Sequence, residues 1–196
     1  MTSWRFALAA LAALCVSACL PVTTKTAVGS TVDFINDPAL EGTWTGKVDK
    51  SSQGSTYFHF LANEGESMTL LGVTTKQDQD KGGWSMFALT TATLGSHRYI
   101  NAREISDDGK PATPDKQATN IPLLYTISGD TLTLYLLDED ATTAAIAAHK
   151  IAGIVIKSQY STDVAITADA AHLDALLKSD AGAKLFKVFV VLKRVK

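Results

Sequence analysis

The residues best suited to covalent chemistry are two cysteines near the amino terminus of this 196-residue chain. Cys15 and Cys19 follow an unbroken apolar run of nine residues, Phe6 to Leu14, which itself follows a short segment carrying Arg5. A run of nine is too short to span a bilayer, but it is typical of the hydrophobic region of a secretory signal peptide. A thiolate is a good nucleophile, so a cysteine at the end of such a signal can be covalently modified.

The four residues Val16-Ser17-Ala18-Cys19 resemble the bacterial lipobox, in which a branched residue and two small ones precede an invariant cysteine. The resemblance implies that diacylglycerol is attached to the Cys19 sulfur, that the chain is cut after Ala18, and that the new amino group is acylated. Several acyl chains give stable anchoring. In lipoproteins of two-membrane bacteria, an Asp directly after the lipidated cysteine favours inner-membrane retention. This chain has Leu20 there, which favours the outer membrane with the domain facing the periplasm. The alternative is an ordinary cleaved signal peptide with an incidental cysteine.

The composition of the mature chain limits the kinds of site and partner that it can have. Once residues 1–18 are removed, no cysteine remains besides Cys19, which excludes an internal disulfide and a cysteine-based zinc site. The formal net charge of −2 becomes −3 when Arg5 leaves, and this acidic balance argues against nucleic acid as a partner. No stretch after residue 20 holds 18 consecutive apolar residues, so we expect the membrane to be contacted through the lipid anchor.

The sequence predicts three parts: a lipoprotein signal peptide over 1–18, a lipidated tether over 19–36, and one domain over 37–196. The tether mixes Thr, Ser, Gly and Pro without sustained periodicity, and its first part is expected to be mobile. Asp37-Pro38 is typical of a helix N-cap followed by proline at the first helical position, so one helical turn is predicted over 37–41.

Short apolar runs separated by turn residues predict strands over most of the domain. The candidates are 43–50, 55–62, 67–75, 84–92, 96–105, 121–128, 131–137, 153–158, 161–167 and 184–195. Two helices are predicted, over 138–149 and, with Thr167 as its N-cap, over 168–178, and the longest loop is predicted over 106–120. This order predicts a mainly β fold, an antiparallel meander that forms a closed or nearly closed barrel with two short helices.

Gly42-Thr43-Trp44 resembles the G-x-W that opens the first strand of lipocalin-like, calycin-type barrels. That family places a helical turn before this strand and ends with a helix and a last strand, an order similar to residues 37–41, 168–178 and 184–195. The family typically packs a basic residue over the tryptophan, a role that the resemblance assigns to Arg194. It implies that Gly42, Trp44 and Arg194 form the structural base of the barrel. The whole run also resembles uncharacterised bacterial lipoproteins, which implies a fold and no activity.

Four polar side chains, His97, Tyr99, Asn101 and Arg103, share one face of a predicted strand. They form either a solvated outer face or a polar lining that could orient the head of a ligand. The four histidines of the chain have no metal-ligand spacing, and we expect neither a metal nor a cofactor. The carboxylates at 138–140 are explained by capping of the helix that follows them.

Motifs of known catalytic sites are absent from the sequence: it contains no G-x-S-x-G, P-loop, G-x-G-x-x-G or H-E-x-x-H. We therefore expect a protein that is not an enzyme and whose barrel binds a small apolar ligand. The alternative is an interaction or structural module, a filled barrel whose surface contacts another envelope protein or the cell wall. The interior of the barrel distinguishes them, because a ligand needs a cavity and a module does not.

Overall fold

The computed structural model describes residues 21–47, 55–65, 67–75, 82–159 and 161–196. Ala18 and Cys19 therefore lie outside the described residues. The strands are β1 (Thr23–Thr24), β2 (Gly42–Gly46), β3 (Ser55–Ala62), β4 (Ser67–Thr75), β5 (Gly83–Leu94), β6 (His97–Asp107), β7 (Lys110–Pro111), β8 (Ile121–Ser128), β9 (Thr131–Leu137), β10 (Gly153–Lys157), β11 (Thr162–Ile166) and β12 (Phe186–Arg194). The helices are α1 (Pro114–Ala118), α2 (Glu139–Ala147), α3 (Ala170–Leu177) and α4 (Asp180–Ala183).

Eight of these strands form a closed antiparallel barrel in the order β2, β3, β4, β5, β6, β8, β9, β12. Neighbours in this order are paired, including β9 with the distant β12, and β12 closes the barrel on β2, where Arg194 stands opposite Trp44. The turn at 129–130 joins β8 to β9, and the positive φ of Gly129, 56°, suits the tight connection. The predicted mainly β meander is confirmed, and the closed barrel is consistent with a lipocalin-like architecture.

Alternate residues of the barrel strands point into a continuous apolar interior. Leu132 and Leu134 of β9 are buried there, whereas Thr131 and Thr133, which alternate with them, are half-buried. The buried interior cluster consists of Leu40, Trp44, Phe60, Met68, Leu70, Leu89, Ile100, Ala102, Leu123, Tyr125, Leu132, Leu134, Val190 and Leu192. Side chains thus fill much of the barrel.

A second layer covers one side of the barrel from the outside. It contains a small sheet in the order β1, β11, β10, in which β1 runs parallel to β11, together with α2 and α3. Its buried cluster consists of Val22, Val28, Leu94, Tyr99, Leu137, Ala145, Ile151, Val164, Ile166, Ala168, Leu173 and Leu177. The two predicted strands at 153–158 and 161–167 therefore form outside the barrel.

The described helices number four, where the sequence predicted two. The additional ones are α1, within the predicted loop 106–120, and α4. Both span only one or two turns, which is too short for a periodic apolar face to appear in the sequence. The N-cap of α3 is Asp169 and not Thr167, because the Asp169 carboxylate accepts the amide N–H of His172 at 2.9 Å. In the described part of the chain no helix is long and apolar enough to cross a membrane.

Residues 21–36 belong to the folded domain, which corrects the tether expected over 19–36. Val22, Thr24 and Val28 are buried, and β1 pairs Thr23 with Ala165 of β11. The segment lacks periodicity because it crosses distant elements in turn: Thr23 pairs with β11, Thr24 bridges to Asn120, and Ile35 bridges to Thr91 of β5. The domain that the structure describes therefore begins by residue 21 instead of residue 37.

Candidate functional site

One end of the barrel is closed by Trp44 and the segment that precedes β2. The indole of Trp44 is fully buried, and its Nε1 donates a hydrogen bond to the carbonyl oxygen of Leu40 at 2.7 Å. The guanidinium carbon of Arg194 lies 4.0 Å from the centroid of the indole ring, a cation–π geometry. The contact expected between these two residues is present in the structure.

Arg194 also ties the last strand to the turn at 37–41. Its two terminal nitrogens donate to the carbonyl oxygens of Glu41 at 2.5 Å and of Ala39 at 2.7 Å. Gly42 has φ +105°, and a Cβ built there would lie 3.3 Å from Nη1 of Arg194. A side chain at position 42 would thus strain the backbone and crowd the guanidinium.

A partly buried polar contact around Asp37 was not predicted. Asp37 accepts hydrogen bonds from the Tyr125 hydroxyl at 2.6 Å and from Arg98 at 3.2 Å, and the Arg98 guanidinium stacks 4.9 Å from the centroid of the Tyr125 ring. Burial, followed by the hydrogen bond to Asp37, raises the pKa of Tyr125. The phenol therefore stays protonated and donates to Asp37.

The four residues proposed as a ligand lining point away from the barrel interior, which corrects that expectation. Their neighbours Ile100 and Ala102 belong to the interior cluster, so the alternate positions of β6 face outward. His97, Tyr99, Asn101 and Arg103 occupy those positions.

Outside the barrel, these side chains meet the second layer. The Tyr99 hydroxyl donates to the carbonyl oxygen of Leu177 at 2.7 Å, and the Asn101 side chain bonds both the N–H and the C=O of Val28. His97 lies 3.5 Å from the carboxylate of Asp180, and Arg103 is exposed. Tyr99 and Asn101 are thus neither solvated nor available to a ligand, because the outer layer covers them.

Among the described residues, a pocket in the barrel lies where β5 begins and β6 ends, far along β6 from Arg98, which contacts Asp37. We call this pocket the mouth, and its volume is about 250 Å³. The lining consists of Thr56, Phe58, Gly72, Thr74, Gly83, Trp84, Ser85, Phe87 and Asp107. Sequence reasoning missed the mouth, because its threonines, serine and glycines are ordinary residues of strands and turns.

Aromatic rings and hydroxyl groups share the mouth. Phe58 and Phe87 are half-buried against the interior cluster. The Ser85 hydroxyl donates to the Asp107 carboxylate at 2.6 Å. At Gly72, a Cβ would meet no atom nearer than the carbonyl oxygen of Ser85 at 3.8 Å, so packing does not require glycine there. The missing side chain leaves room that a ligand can occupy.

The groups at the mouth are aromatic rings, hydroxyls and one carboxylate. Among the described residues, no group of three or more His, Cys, Asp or Glu side chains is placed to hold a metal ion. No protein-family model, curated protein sequence or solved structure matches this chain. Its function is therefore inferred from its own geometry.

Proposed function

We propose that this chain is a bacterial envelope lipoprotein, anchored through Cys19 to the outer membrane and facing the periplasm, whose barrel binds a small, mainly apolar ligand at the mouth. The observation that carries the binding proposal is the asymmetry of the barrel. One end is closed by Trp44 and Arg194, whereas the mouth keeps a pocket of about 250 Å³.

The dimensions of the mouth define the ligand. Its volume of about 250 Å³ is below the roughly 300–1,000 Å³ of pockets for drug-sized molecules, so the ligand is small. Phe58 and Phe87 supply apolar walls, and the Ser85–Asp107 pair can receive one polar group. Fully buried side chains such as Phe60 and Met68 fill the interior, which keeps the ligand at the mouth.

The Gly72→Leu substitution tests the mouth, because the new side chain would grow into its free space. We expect this variant to lose binding of 1-aminonaphthalene, a small and neutral fluorescent probe, measured by fluorescence titration of the folded protein. Val73→Leu is the matched control, since Val73 is the next residue of β4 and faces the other side of the sheet. Equal probe binding by the wild type and Gly72→Leu would contradict binding at the mouth.

The anchoring proposal is supported by the Val16-Ser17-Ala18-Cys19 motif directly behind a signal-like apolar run. We expect the wild type to incorporate labelled palmitate and to fractionate with membranes, and Cys19→Ser to lose both properties. Cys15→Ser is the matched control, because it removes the other thiol and leaves the motif intact. Unchanged labelling of Cys19→Ser would contradict the lipoprotein assignment.

A second candidate function is contact with another envelope protein or the cell wall. It is favoured by Val188 and Val191 of β12, which are 58% and 49% exposed on a barrel whose interior is largely filled. This function predicts that the protein cross-links to a partner in the native envelope and that Val188→Lys and Val191→Lys lose the cross-link. That result, together with no probe binding at the mouth, would favour this function over ligand binding.

A further inference from the structure

An apolar groove lies outside the barrel, where the small sheet β1–β11–β10 meets the start of β8. Its volume is about 360 Å³, within the range of pockets that bury small molecules. Ile121, Ile154, Ile156 and Ala165 supply much of its apolar wall. Lys116 and Glu104, which pair at 2.9 Å, also line it.

Two exposed isoleucines of β10 lie along this groove. Ile154 and Ile156 are 53% and 60% exposed and lie on the same face of β10. Val155, between them, points the other way and packs against the outer-layer cluster. Two neighbouring isoleucines along an apolar groove indicate a surface that is covered by something apolar.

The amino-terminal part of the described chain leads into this groove. Pro21 is itself a lining residue, and the residues that follow are fixed, because Val22 is buried and Thr24 exchanges two backbone hydrogen bonds with Asn120, at 2.8 and 2.9 Å. Cys19 precedes Pro21 by two positions in the sequence. Two extended residues span at most about 7 Å, so any group attached to Cys19 starts beside the groove.

We propose that the groove holds one of the acyl chains attached to Cys19. The inference rests on the lipidation proposed above and assigns a place to part of that lipid. An acyl chain attached two residues before Pro21 binds the groove intramolecularly. The short linker gives it a high effective concentration at the groove, so free membrane lipids or a second protein compete with it poorly. Two further acyl chains remain for the bilayer, which is enough for stable anchoring. The groove then faces the membrane and orients the barrel.

A photoreactive lipid tests this assignment on the full-length protein. Cells that express the protein are fed palmitate carrying a diazirine, the membranes are irradiated, and cross-linked peptides are identified by mass spectrometry. We expect cross-links from the Cys19 lipid to residues 151–157 of the same chain. The Ile154→Glu/Ile156→Glu double variant should lose them, whereas the matched control Val188→Glu/Val191→Glu, equally exposed on β12, should keep them.

Each outcome of this experiment decides a different point. Cross-links confined to phospholipid, or joining an isotopically heavy copy to a light one, would overturn the intramolecular assignment and leave the lipidation standing. Absence of any label on the protein would overturn the lipidation and this inference together. Cross-links to residues 151–157 that persist in the isoleucine double variant would also overturn it, once circular dichroism shows that the variant is folded.

Discussion

The barrel interior and the outer layer are both buried and apolar, yet they are held together by different interactions. In the interior, neighbouring strands supply alternate side chains to one cluster. Most barrel strands pair with the next barrel strand along the chain, and β12, which pairs with the distant β9 and β2, is the exception. The outer layer joins segments from distant parts of the chain, namely residues 22–28, 94–99, 137–151 and 164–177. The packing of the interior therefore follows from the alternation of apolar residues along the strands, whereas the packing of the outer layer depends on a few particular contacts.

Buried polar side chains fix the amino-terminal segment to α3 and to the barrel. The Asp174 carboxylate accepts hydrogen bonds from the amide of Gly29 at 2.7 Å and from the amide and hydroxyl of Thr31 at 2.9 and 2.6 Å. Asn101 pairs with both backbone groups of Val28. Gly29 has φ +87°, and a Cβ there would lie 2.1 Å from that of Ala92, so only glycine fits this crossing.

The largest expected effect comes from removing the amino-terminal part of the outer layer. A chain that starts at residue 37 loses Val22 and Val28, and burial of two such side chains is worth about 3–6 kcal/mol. We expect the 37–196 chain to be less stable by at least this amount than the 21–196 chain, as measured by denaturant unfolding. Equal midpoints for the two chains would show that residues 21–36 contribute nothing to the fold.

The next prediction concerns the interior. Trp44→Ala should lower the free energy of unfolding by about 3–5 kcal/mol, because it removes a fully buried aromatic side chain and leaves a cavity. Trp84→Ala is the matched control, since Trp84 lies at the mouth and is partly exposed. Denaturant melts should show a much smaller loss for the control. Similar losses for both variants would contradict the closed and filled base.

A single polar contact in the outer layer should also matter. Asp174→Ala leaves the amides of Gly29 and Thr31 without their acceptor, and we expect a loss of about 2–3 kcal/mol. Asp33→Ala, an exposed aspartate close by in the sequence, is the control and should have little effect. Hydrogen exchange should show faster exchange at residues 28–31 in the Asp174 variant. Protection that is unchanged there would argue that apolar packing alone holds the segment.

This contrast explains what the sequence could predict. Alternation of apolar and polar residues, such as that around Leu132 and Leu134, predicts the strands of the meander. The resemblance of Gly42-Thr43-Trp44 to the lipocalin opening predicted the contact between Trp44 and Arg194. For Tyr99 and Asn101 the alternation left two alternatives open, because polar residues on one face of a strand can either be exposed to solvent or line the interior of the barrel. They are covered by residues 22–28 and α3, and no local pattern in those segments shows which strand they will meet.

The smallest expected effect tests the contact that closes the barrel. Arg194→Ala should lower the free energy of unfolding by about 1–2 kcal/mol, because it removes a cation–π contact and two charge-assisted hydrogen bonds from a partly exposed guanidinium. Lys193→Ala is the matched control, since its ammonium lies in solvent and donates to Thr131. Denaturant melts measure both variants, and the control should remain close to the wild type.

Coupling between Arg194 and Trp44 decides whether the contact itself carries that stability. Without the indole, Arg194 loses the ring beneath it but keeps the carbonyl oxygens of Glu41 and Ala39. The double variant should therefore be less destabilised than the sum of the two single variants, by about 0.5–1 kcal/mol for a cation–π contact at a partly exposed site. Additive losses would mean that Arg194 stabilises the base through the turn at 37–41 alone, and that the first and last strands are joined by backbone pairing without help from the ring.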